Sequence, residues 1–304
     1  MFEFNETGFI FLTGKISSFL SFLISNIRNK GRKTVVFYDA EDEAMLMSEE
    51  IGYFSGKETY IFPPYTDRVF EKEDEAKRIG FLSHLVSDDD FIGLFPCSAI
   101  NNRLTTPEMI ADKTFKLQFG DTVFREDIID YLDANGYELV SLVREEGHYA
   151  KRGSIIDVFS PSFTQPVRIE FLGDQILSLR YFDTGSQRSG REVEKTSITP
   201  AKITKMSDVT ILDFFKGKMV FVHKGLDYII QNLNEEKDNT LIREKLREVF
   251  STNLNIDTSG VCDDNSGSVI EALSNDDLRY IFEADKSGIF KTLSEKLISD
   301  WSAY

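Results

Sequence analysis

Short apolar runs alternate with amphipathic stretches in the first third of the chain. The pattern indicates strands at residues 34–38, 60–62 and 91–95, with helices at 41–51 and 71–86 between them. Parallel strands need crossover connections, which are usually helices, so this alternation is typical of a parallel sheet. We therefore predict an α/β domain built on a parallel sheet.

The pattern changes after residue 114. A helical stretch at 125–132 ends at Asn135-Gly136, and closely spaced runs with strand periodicity follow it. These runs are residues 138–143, 154–159, 167–171 and 176–182. Strands this close together predict an antiparallel meander, and hence an α+β domain inserted into the α/β domain.

The stretch beyond residue 200 carries weaker signals. Residues 219–222 predict a strand that rejoins the first sheet, 240–250 a helix, and 257–268 a loop, because they are rich in Asp, Ser and Gly. We therefore predict three segments. Residues 1–114 form the first part of the α/β domain, and residues 115–199 form the inserted α+β domain. Residues 200–304 form the second part of the α/β domain with a carboxy-terminal extension.

The composition is that of a folded protein with an acidic surface. The chain has 304 residues, of which 41% are hydrophobic, and a net charge of −16. All three predicted segments are net negative, which repels phosphate backbones and disfavours direct binding to DNA. Polar residues interrupt the apolar stretch 9–27, which predicts a buried strand and helix, not a membrane span. Acidic Glu3 and Glu6 disfavour a signal peptide, so we expect a cytoplasmic protein without membrane contact.

Few residues suit metal binding or catalysis. Cys97 and Cys262 fit two reduced thiols, and the three histidines lack the spacing of metal ligands. Neighbouring carboxylates such as Glu145 and Glu146 are typical of a solvated face, and no nucleophile has an identifiable base. We predict no metal site and no catalytic residues.

A glycine-containing segment between an apolar run and a helical stretch is the candidate nucleotide site. A working phosphate-binding loop has Gly, four residues, then Gly-Lys-Ser/Thr, so that backbone amides hold the phosphates and the hydroxyl binds magnesium. Here five residues separate Gly8 from Gly14, and Ile16 stands at the hydroxyl position. The spacing favours a structural strand-to-helix turn over a functional ATP site. We therefore predict a degenerate P-loop NTPase-like domain, whose altered loop comprises Thr13, Gly14 and Lys15.

Alternation along two neighbouring strands predicts which side chains of the inserted domain share a face. A two-residue loop would pair Val167 with Arg180 and place a charge on the apolar face. A three-residue loop, 173–175, pairs Phe171 with Leu177 and keeps the apolar side chains together. We favour the second register, whose outer face comprises Arg168, Glu170, Leu172, Ile176, Ser178 and Arg180.

This outer face has two interpretations. Arginine donates paired hydrogen bonds to carboxylates, and neighbouring aliphatic groups supply apolar contact area, so the face suits docking of a protein partner. The alternative is a solvated sheet face with incidental Leu and Ile. The alternation itself favours neither.

The most specific sequence signal is a motif within residues 145–188. Its residues are Tyr149, Arg152-Gly153, 155–159, 168–171, Gly173-Asp174, Ile176, Leu179-Arg180, Phe182-Asp183 and Gln187-Arg188. The motif resembles the inserted domain shared by UvrB and the bacterial transcription-repair coupling factors, approximately Y-x-x-R-G-x-[IL]-[IL]-[DE]-[IVL]-F-P, then R-[IVL]-[ED]-F-[FW]-x-[DE]-x-I-x-x-[IL]-R-x-F-D-x-x-[ST]-Q-R. Ser160 replaces the family's Pro and Leu172 its aromatic residue. The ending Ser186-Gln187-Arg188 favours the coupling factors.

The resemblance implies a function and a set of contact residues. In the family, the inserted domain recruits UvrA, the damage-recognition ATPase of nucleotide excision repair, to a stalled RNA polymerase. The family's UvrA contacts fall on Arg152, Arg168 and Leu172. We add Glu170 and Arg180, which share the predicted outer face.

The resemblance also bears on whether the chain is an enzyme. The coupling factor's first domain is similar to UvrB but has lost its nucleotide site, whereas UvrB keeps an intact one. The family protein carries an RNA polymerase-binding domain and an ATP- and magnesium-dependent DNA-translocating motor after this region. We therefore expect a non-enzymatic fragment without a cofactor, which meets RNA polymerase and DNA through the rest of the protein. The alternative is a nucleotide-using, UvrB-like helicase domain acting on damaged DNA.

Overall fold

The fold is built from two units, each formed by non-contiguous parts of the chain. The computed structural model describes residues 3–4, 9–15, 19–26, 33–56, 58–64, 72–87, 91–203, 207–215, 219–233 and 240–262. One unit comprises Met1–Pro64, Asp88–Asn102 and Ile211–Tyr304, and the other Tyr65–Ser87 and Arg103–Thr210. The second unit contains the predicted inserted segment 115–199 and extends beyond it.

The described residues form strands, α-helices and two short 3-10 turns. The strands are β1 (Glu3–Phe4), β2 (Phe9–Lys15), β3 (Lys33–Tyr38), β4 (Tyr60–Ile61), β5 (Ile92–Pro96), β6 (Phe115–Gln118), β7 (Glu138–Leu139), β8 (His148–Arg152), β9 (Ile155–Val158), β10 (Val167–Leu172), β11 (Gln175–Phe182), β12 (Ser189–Glu192), β13 (Lys195–Ile198), β14 (Met219–His223) and β15 (Leu254–Cys262). The helices are α1 (Phe19–Asn26), α2 (Glu41–Ser55), α3 (Lys72–Val86), α4 (Pro107–Lys113), α5 (Arg125–Ala134), α6 (Leu226–Gln231) and α7 (Thr240–Ser251). The 3-10 turns are Cys97–Ala99 and Ile211–Asp213.

The first unit contains a seven-stranded sheet in the order β1-β2-β15-β14-β3-β5-β4. β1 is antiparallel to β2, and the other neighbours are parallel. The predicted parallel α/β sheet is therefore confirmed. The predicted return of residues 219–222 is also confirmed, because β14 pairs with β3, Val220 opposite Thr34.

The central strands of this sheet are apolar because both of their faces are covered. Every residue of β5 and β14 is buried, and in β3 only Lys33 is partly exposed. Continuous apolar runs are typical of parallel strands packed on both faces. Aromatic side chains contribute much of this packing, since the Phe37 ring contacts those of Phe215, Phe221 and Phe250.

The residues of the degenerate nucleotide loop lie in a strand. Thr13, Gly14 and Lys15 form the end of β2, and their backbone pairs with the parallel strand β15, Gly14 opposite Val261. The turn expected at Gly14 is thus part of the sheet ladder, and residues 16–18 lie outside the described residues. The P-loop NTPase-like character of this domain stays a prediction.

The predicted loop at 257–268 is wrong over its first part. Residues 257–262 belong to β15, although Asp, Ser and Gly are poor strand formers. Pairing with β14 on one side and β2 on the other overrides that preference, and a register shift between Asp257 and Gly260 accommodates the polar stretch. Residues 263–268 lie outside the described part of the chain.

The second unit contains a six-stranded sheet in the order β12-β11-β10-β9-β8-β7, and a separate pair of β13 with β6. β9, β10 and β11 form the predicted antiparallel meander, and β8 and β12, which were not predicted, pair with it on either side. The predicted strand 138–143 is wrong beyond Leu139, because β7 has two residues and is parallel to β8. The chain continues as a non-strand segment in which Val143 packs with Ala150 and Phe182, away from the main core.

Helix α5 covers one face of this sheet. Its buried residues Ile128 and Leu132 have the four-residue spacing of one helix face and pack with the inward side chains of the strands. The inward side chains of β9 and β10 alternate along each strand and comprise Ile156, Val158, Val167, Ile169 and Phe171. The outward side chains of the same strands form the candidate site.

The β10–β11 hairpin is only partly as predicted. The register is correct away from the turn, where Val167 lies opposite Tyr181, but Phe171 lies opposite Ile176 instead of Leu177. A bulge absorbs the difference, so the loop has two residues and Leu177 is the extra residue of β11. Ile176, predicted on the outer face, is therefore buried in the core, and Leu177 is exposed.

No helix among the described residues is long and apolar enough to cross a bilayer. Within the same ranges, no group of three or more His, Cys, Asp or Glu side chains is placed to hold a metal ion.

Candidate protein-docking site

The outer face of the six-stranded sheet carries two rows of side chains that run across the strands. In the first row, the register aligns Ala150, Asp157, Arg168, Arg180 and Glu192, on β8 to β12. The second row, nearer the β10–β11 turn, comprises Arg152, Ile155, Glu170 and Ser178. Directly opposed residues point to the same face, about 5 Å apart, so neighbours within a row interact.

Arg168 is held by a carboxylate on the neighbouring strand. Its Nε and Nη2 donate to the two oxygens of Asp157 at 2.7 and 2.9 Å, which is a bidentate geometry. The Asp157 side chain is 3% exposed and that of Arg168 is 15% exposed. The guanidinium also lies over the Phe182 ring, 4.7 Å from its centroid. The hydrogen bond to Asp157 raises the pKa of Arg168, so the guanidinium stays charged in its largely buried position.

The third nitrogen of Arg168 fixes the turn before β12. Nη1 donates to the carbonyl oxygen of Gln187 at 3.3 Å and to the Ser189 hydroxyl at 3.0 Å. Within the turn, the Ser186 backbone N–H donates to the Asp183 carboxylate at 2.7 Å, which lowers the pKa of Asp183. Gln187 adopts a positive φ of 59°. The end of the sequence motif therefore builds an internal turn clamped to the sheet.

Glu170 and Arg180 also have neighbours on this face. Arg180 pairs with Glu192 at 2.9 Å, and both side chains are more than a third exposed. Glu170 accepts a hydrogen bond from the Ser178 hydroxyl at 2.7 Å. An exposed ion pair contributes about 0–1 kcal/mol, so the loss of Glu192 as a partner would cost Arg180 little.

Arg152 and Leu172 lie nearest the turn and are both exposed. Arg152 ends β8 and donates from Nη2 to the carbonyl oxygen of Ser141. A guanidinium has five N–H donors, so one such bond leaves it able to bind a carboxylate. Leu172 ends β10 and is 68% exposed. All five predicted contact residues thus lie on one sheet face, but Arg168 is committed to Asp157.

Two features of this face were not predicted from the sequence. Asp157 has the same outward position in β9 as Arg168 has in β10, so alternation combined with strand pairing would have found it. The exposure of Leu177 depends on the bulge in β11, and no residue type in the hairpin predicts that bulge.

Comparison with known proteins identifies the domain that carries this face. Residues 115–203 match the family described as the UvrB interaction domain. A transcription-repair-coupling factor of Haemophilus influenzae is 29% identical over 201 residues, which cover 64% of this chain and 18% of that protein. The one from Escherichia coli is 30% identical over 140 residues, covering 46% and 12%. The UvrABC system protein B of Methanobrevibacter smithii is 26% identical over 250 residues, covering 76% and 36%.

The matched domain contains both rows of the outer face, since it begins in β6 and ends after β13. The chain spans less than a fifth of the length of the coupling factors that it matches. Coupling factors and UvrB both match, as the motif at 145–188 indicated. The predicted resemblance is therefore confirmed: residues 115–203 match the UvrB interaction domain, and the chain is similar to the amino-terminal, UvrB-like region of the transcription-repair coupling factors.

Proposed function

We propose that this chain is a protein-docking module of DNA repair, which binds UvrA through the outer face of its six-stranded sheet. The observation that carries the proposal is the exposure of Leu172 on the same face as Arg152 and Glu170, within the matched residues 115–203. Apolar contact area beside a charge-assisted hydrogen-bond donor is typical of protein interfaces. The names of the matched domain and of the relatives support a repair role.

In this proposal the predicted contact residues take different parts. Arg152 donates to a UvrA carboxylate, and Leu172 supplies apolar contact area. Glu170 and Arg180 contribute polar contacts at the rim, where each exchanges a sheet neighbour for a partner group. Arg168 positions the face from within, because its nitrogens are engaged by Asp157 and by the turn before β12.

We extend the proposal to the longer protein that the relatives represent. There the module recruits UvrA to a stalled RNA polymerase, which couples transcription to nucleotide excision repair. Contacts with RNA polymerase and DNA, and translocation driven by ATP and magnesium, belong in this proposal to parts of such a protein outside this chain. The similarity to the coupling factors supports the extension, over 12–18% of their length.

Binding to purified UvrA tests the proposal. The isolated chain should co-elute with UvrA in size-exclusion chromatography, and titration calorimetry should give the Kd. Arg152→Ala should weaken binding by about 2–5 kcal/mol where the partner's carboxylate is left buried. Leu172→Phe enlarges the apolar contact, so it should tighten binding without stabilising the free chain.

The chain offers a matched control for the arginine variant. Arg103 is an exposed arginine of the same unit that pairs with Asp208, outside residues 115–203. Arg103→Ala should leave the Kd unchanged. Failure of the chain to co-elute with UvrA, or equal effects of Arg103→Ala and Arg152→Ala, would contradict the proposal.

A nucleotide-using, UvrB-like helicase domain is the second candidate function. The similarity to UvrABC system protein B over 76% of the chain favours it. The strand position of Gly14 and Lys15 argues against it, because a phosphate-binding loop has to leave its strand for the backbone amides to point at the phosphates. A titration of the isolated chain with ATP separates the two candidates.

A further inference from the structure

The segment 119–124, between β6 and α5, runs alongside the β10–β11 turn. The Gly120 N–H donates to the Ile176 carbonyl oxygen at 3.0 Å, and the Val123 N–H donates to that of Asp174 at 2.8 Å. The segment runs antiparallel to β11, so it extends the sheet locally at the turn. The first and last residues of the segment are both phenylalanines.

Four exposed apolar residues lie in or next to this paired backbone, and we name them the apolar tip. They are Phe119, Phe124, Leu172 and Leu177. Each phenylalanine is 59% exposed and Leu177 is 51% exposed. Single exposed apolar residues are ordinary on protein surfaces, whereas neighbouring ones mark interaction sites.

The apolar tip rests on a fixed base. Arg125, the residue after Phe124, donates from Nη1 to the carbonyl oxygen of Gly153 in the β8–β9 turn. Beneath the tip, Ile176 is buried and Val123 packs against the same core. A surface held in this way loses little conformational freedom on binding, which favours affinity.

We propose that the apolar tip is part of the partner-binding surface, with Phe119 and Phe124 as its aromatic anchors. The inference rests on the proposed function and adds the β6–α5 segment to the contact made by the sheet face. The tip is continuous with the proposed docking face, because Leu172 belongs to both and Arg152 is exposed where β8 ends, next to Gly153. The tip therefore fits an apolar patch on UvrA next to the groups that meet Arg152.

Substitution of the two phenylalanines tests the inference. Phe119→Ser and Phe124→Ser should each raise the Kd for UvrA about tenfold or more in titration calorimetry, since aromatic anchors dominate interface energetics. Leu139→Ser is the matched control, because Leu139 is also 51% exposed but lies in β7, at the opposite edge of the sheet from β12. Its Kd should stay within about twofold of the wild type.

The outcomes separate this inference from the proposed function. If Arg152→Ala weakens UvrA binding while Phe119→Ser and Phe124→Ser do not, the tip is not a contact and the docking module stands. If the wild-type chain does not bind UvrA, both fall. Should Phe124→Ser unfold the domain, as read by circular dichroism, Phe119→Ser alone decides. Dimerisation that Phe119→Ser abolishes would assign the tip to a second copy of the chain and overturn the inference.

Discussion

Arg168 shows how a residue typical of interfaces becomes part of the fold. Both oxygens of Asp157 accept from it, and the pair is largely buried on the outer face of the sheet. A buried ion pair adds little net stability compared with apolar residues of the same size, but removal of one partner leaves a buried charge uncompensated. Substitutions of Arg168 therefore act on the domain before they act on any partner.

A double-mutant cycle tests this structural part of Arg168. Arg168→Ala and Asp157→Ala should each lower the free energy of unfolding by about 3–5 kcal/mol, because each leaves one buried charge. The double variant, with Arg168→Ala and Asp157→Ala together, should cost far less than the sum, since both charges are gone. Urea unfolding followed by circular dichroism gives the three values. A stable Arg168→Ala domain that fails to bind UvrA would instead make Arg168 a direct contact.

His223 predicts a pH dependence for the first unit. Burial lowers the pKa of His223 to about 4 from its ordinary 6.5, against the opposing charge of Asp257, and the ring stacks on Phe250 at 4.6 Å. Between these values the unfolded chain binds a proton that the folded chain does not, so stability falls as the pH falls through this window. Because of His223, the free energy of unfolding should be about 2 kcal/mol lower at about pH 5 than at pH 7.

The difference between wild type and variant isolates the contribution of His223. A His223→Asn chain lacks the titrating ring, so its unfolding free energy should change less between pH 7 and pH 5, by about 2 kcal/mol. The change of the unfolding free energy with pH is compared between the two chains, because loss of the Phe250 stacking changes stability at every pH. Identical slopes for the two chains would show that His223 titrates normally.

In helix α3, packing around Gly80 outweighs the low helix propensity of glycine. Glycine inside a helix is usually less stable than alanine by about 0.5–1 kcal/mol, so Gly80→Ala would ordinarily stabilise. Here a Cβ at Gly80 would collide with the carbonyl oxygen of Pro161, which is backbone and does not yield easily. We expect Gly80→Ala to destabilise the second unit by about 1–3 kcal/mol in thermal unfolding.

The surface of the same helix provides the control. Lys77 is exposed, so Lys77→Ala should change the free energy of unfolding by less than about 0.5 kcal/mol. Stabilisation by Gly80→Ala would mean that α3 does not approach the Pro161 segment this closely.

Strands were predictable where burial alone sets their sequence. β3 and β14 are continuous apolar runs, and the alternation of Val167 and Ile169 fixes the hairpin register away from its turn. β15 was missed because Asp257 and Gly260, which are poor strand formers, gain their pairing from strands distant in sequence. The bulge at Leu177 was missed for a similar reason, since the adjoining segment 119–124 bonds to the turn.

The sequence predicts which residues share the outer face, but it does not predict which of them are free to contact a partner. Period-two alternation assigns Arg168, Glu170 and Leu172 to one side of a strand. Which of them is free for a partner depends on the opposite strand, where Asp157 meets Arg168 and Ile155 meets Glu170. Such cross-strand pairs follow from the register, which the sequence of one strand does not contain.

The charge of the molecule as a whole predicts weak affinity for DNA. The net charge is −16, and a duplex binds proteins largely through phosphate contacts with Lys and Arg. We expect no shift of duplex DNA by sub-micromolar protein at physiological salt in an electrophoretic assay. A salt-dependent shift at that concentration would reveal a local basic surface and count against this expectation.

The carboxyl edge of the parallel sheet is acidic, which bears on nucleotide binding. Ligands of open parallel sheets bind where the strands end, and Asp39 and Lys224 follow the ends of β3 and β14. The Lys224 Nζ lies 3.0 Å from Glu43 and 3.7 Å from Asp39, so nearby carboxylates compensate its charge. The first turn of α2 adds Glu41 and Asp42 to this edge. We expect these carboxylates to repel phosphates from this edge.

Together with the altered loop, this edge predicts that the isolated chain neither binds nor hydrolyses ATP. Gly14 and Lys15 are tied into the sheet ladder, and Ile16 replaces the hydroxyl that would hold magnesium. Calorimetric titration with ATP and magnesium should show no saturable heat, with an intact UvrB as the positive control. Ile16→Thr restores the hydroxyl but not the glycine spacing, so it should remain inactive. Micromolar binding by the wild-type chain would favour the helicase-like function, and binding by Ile16→Thr alone would show that the spacing tolerates a phosphate.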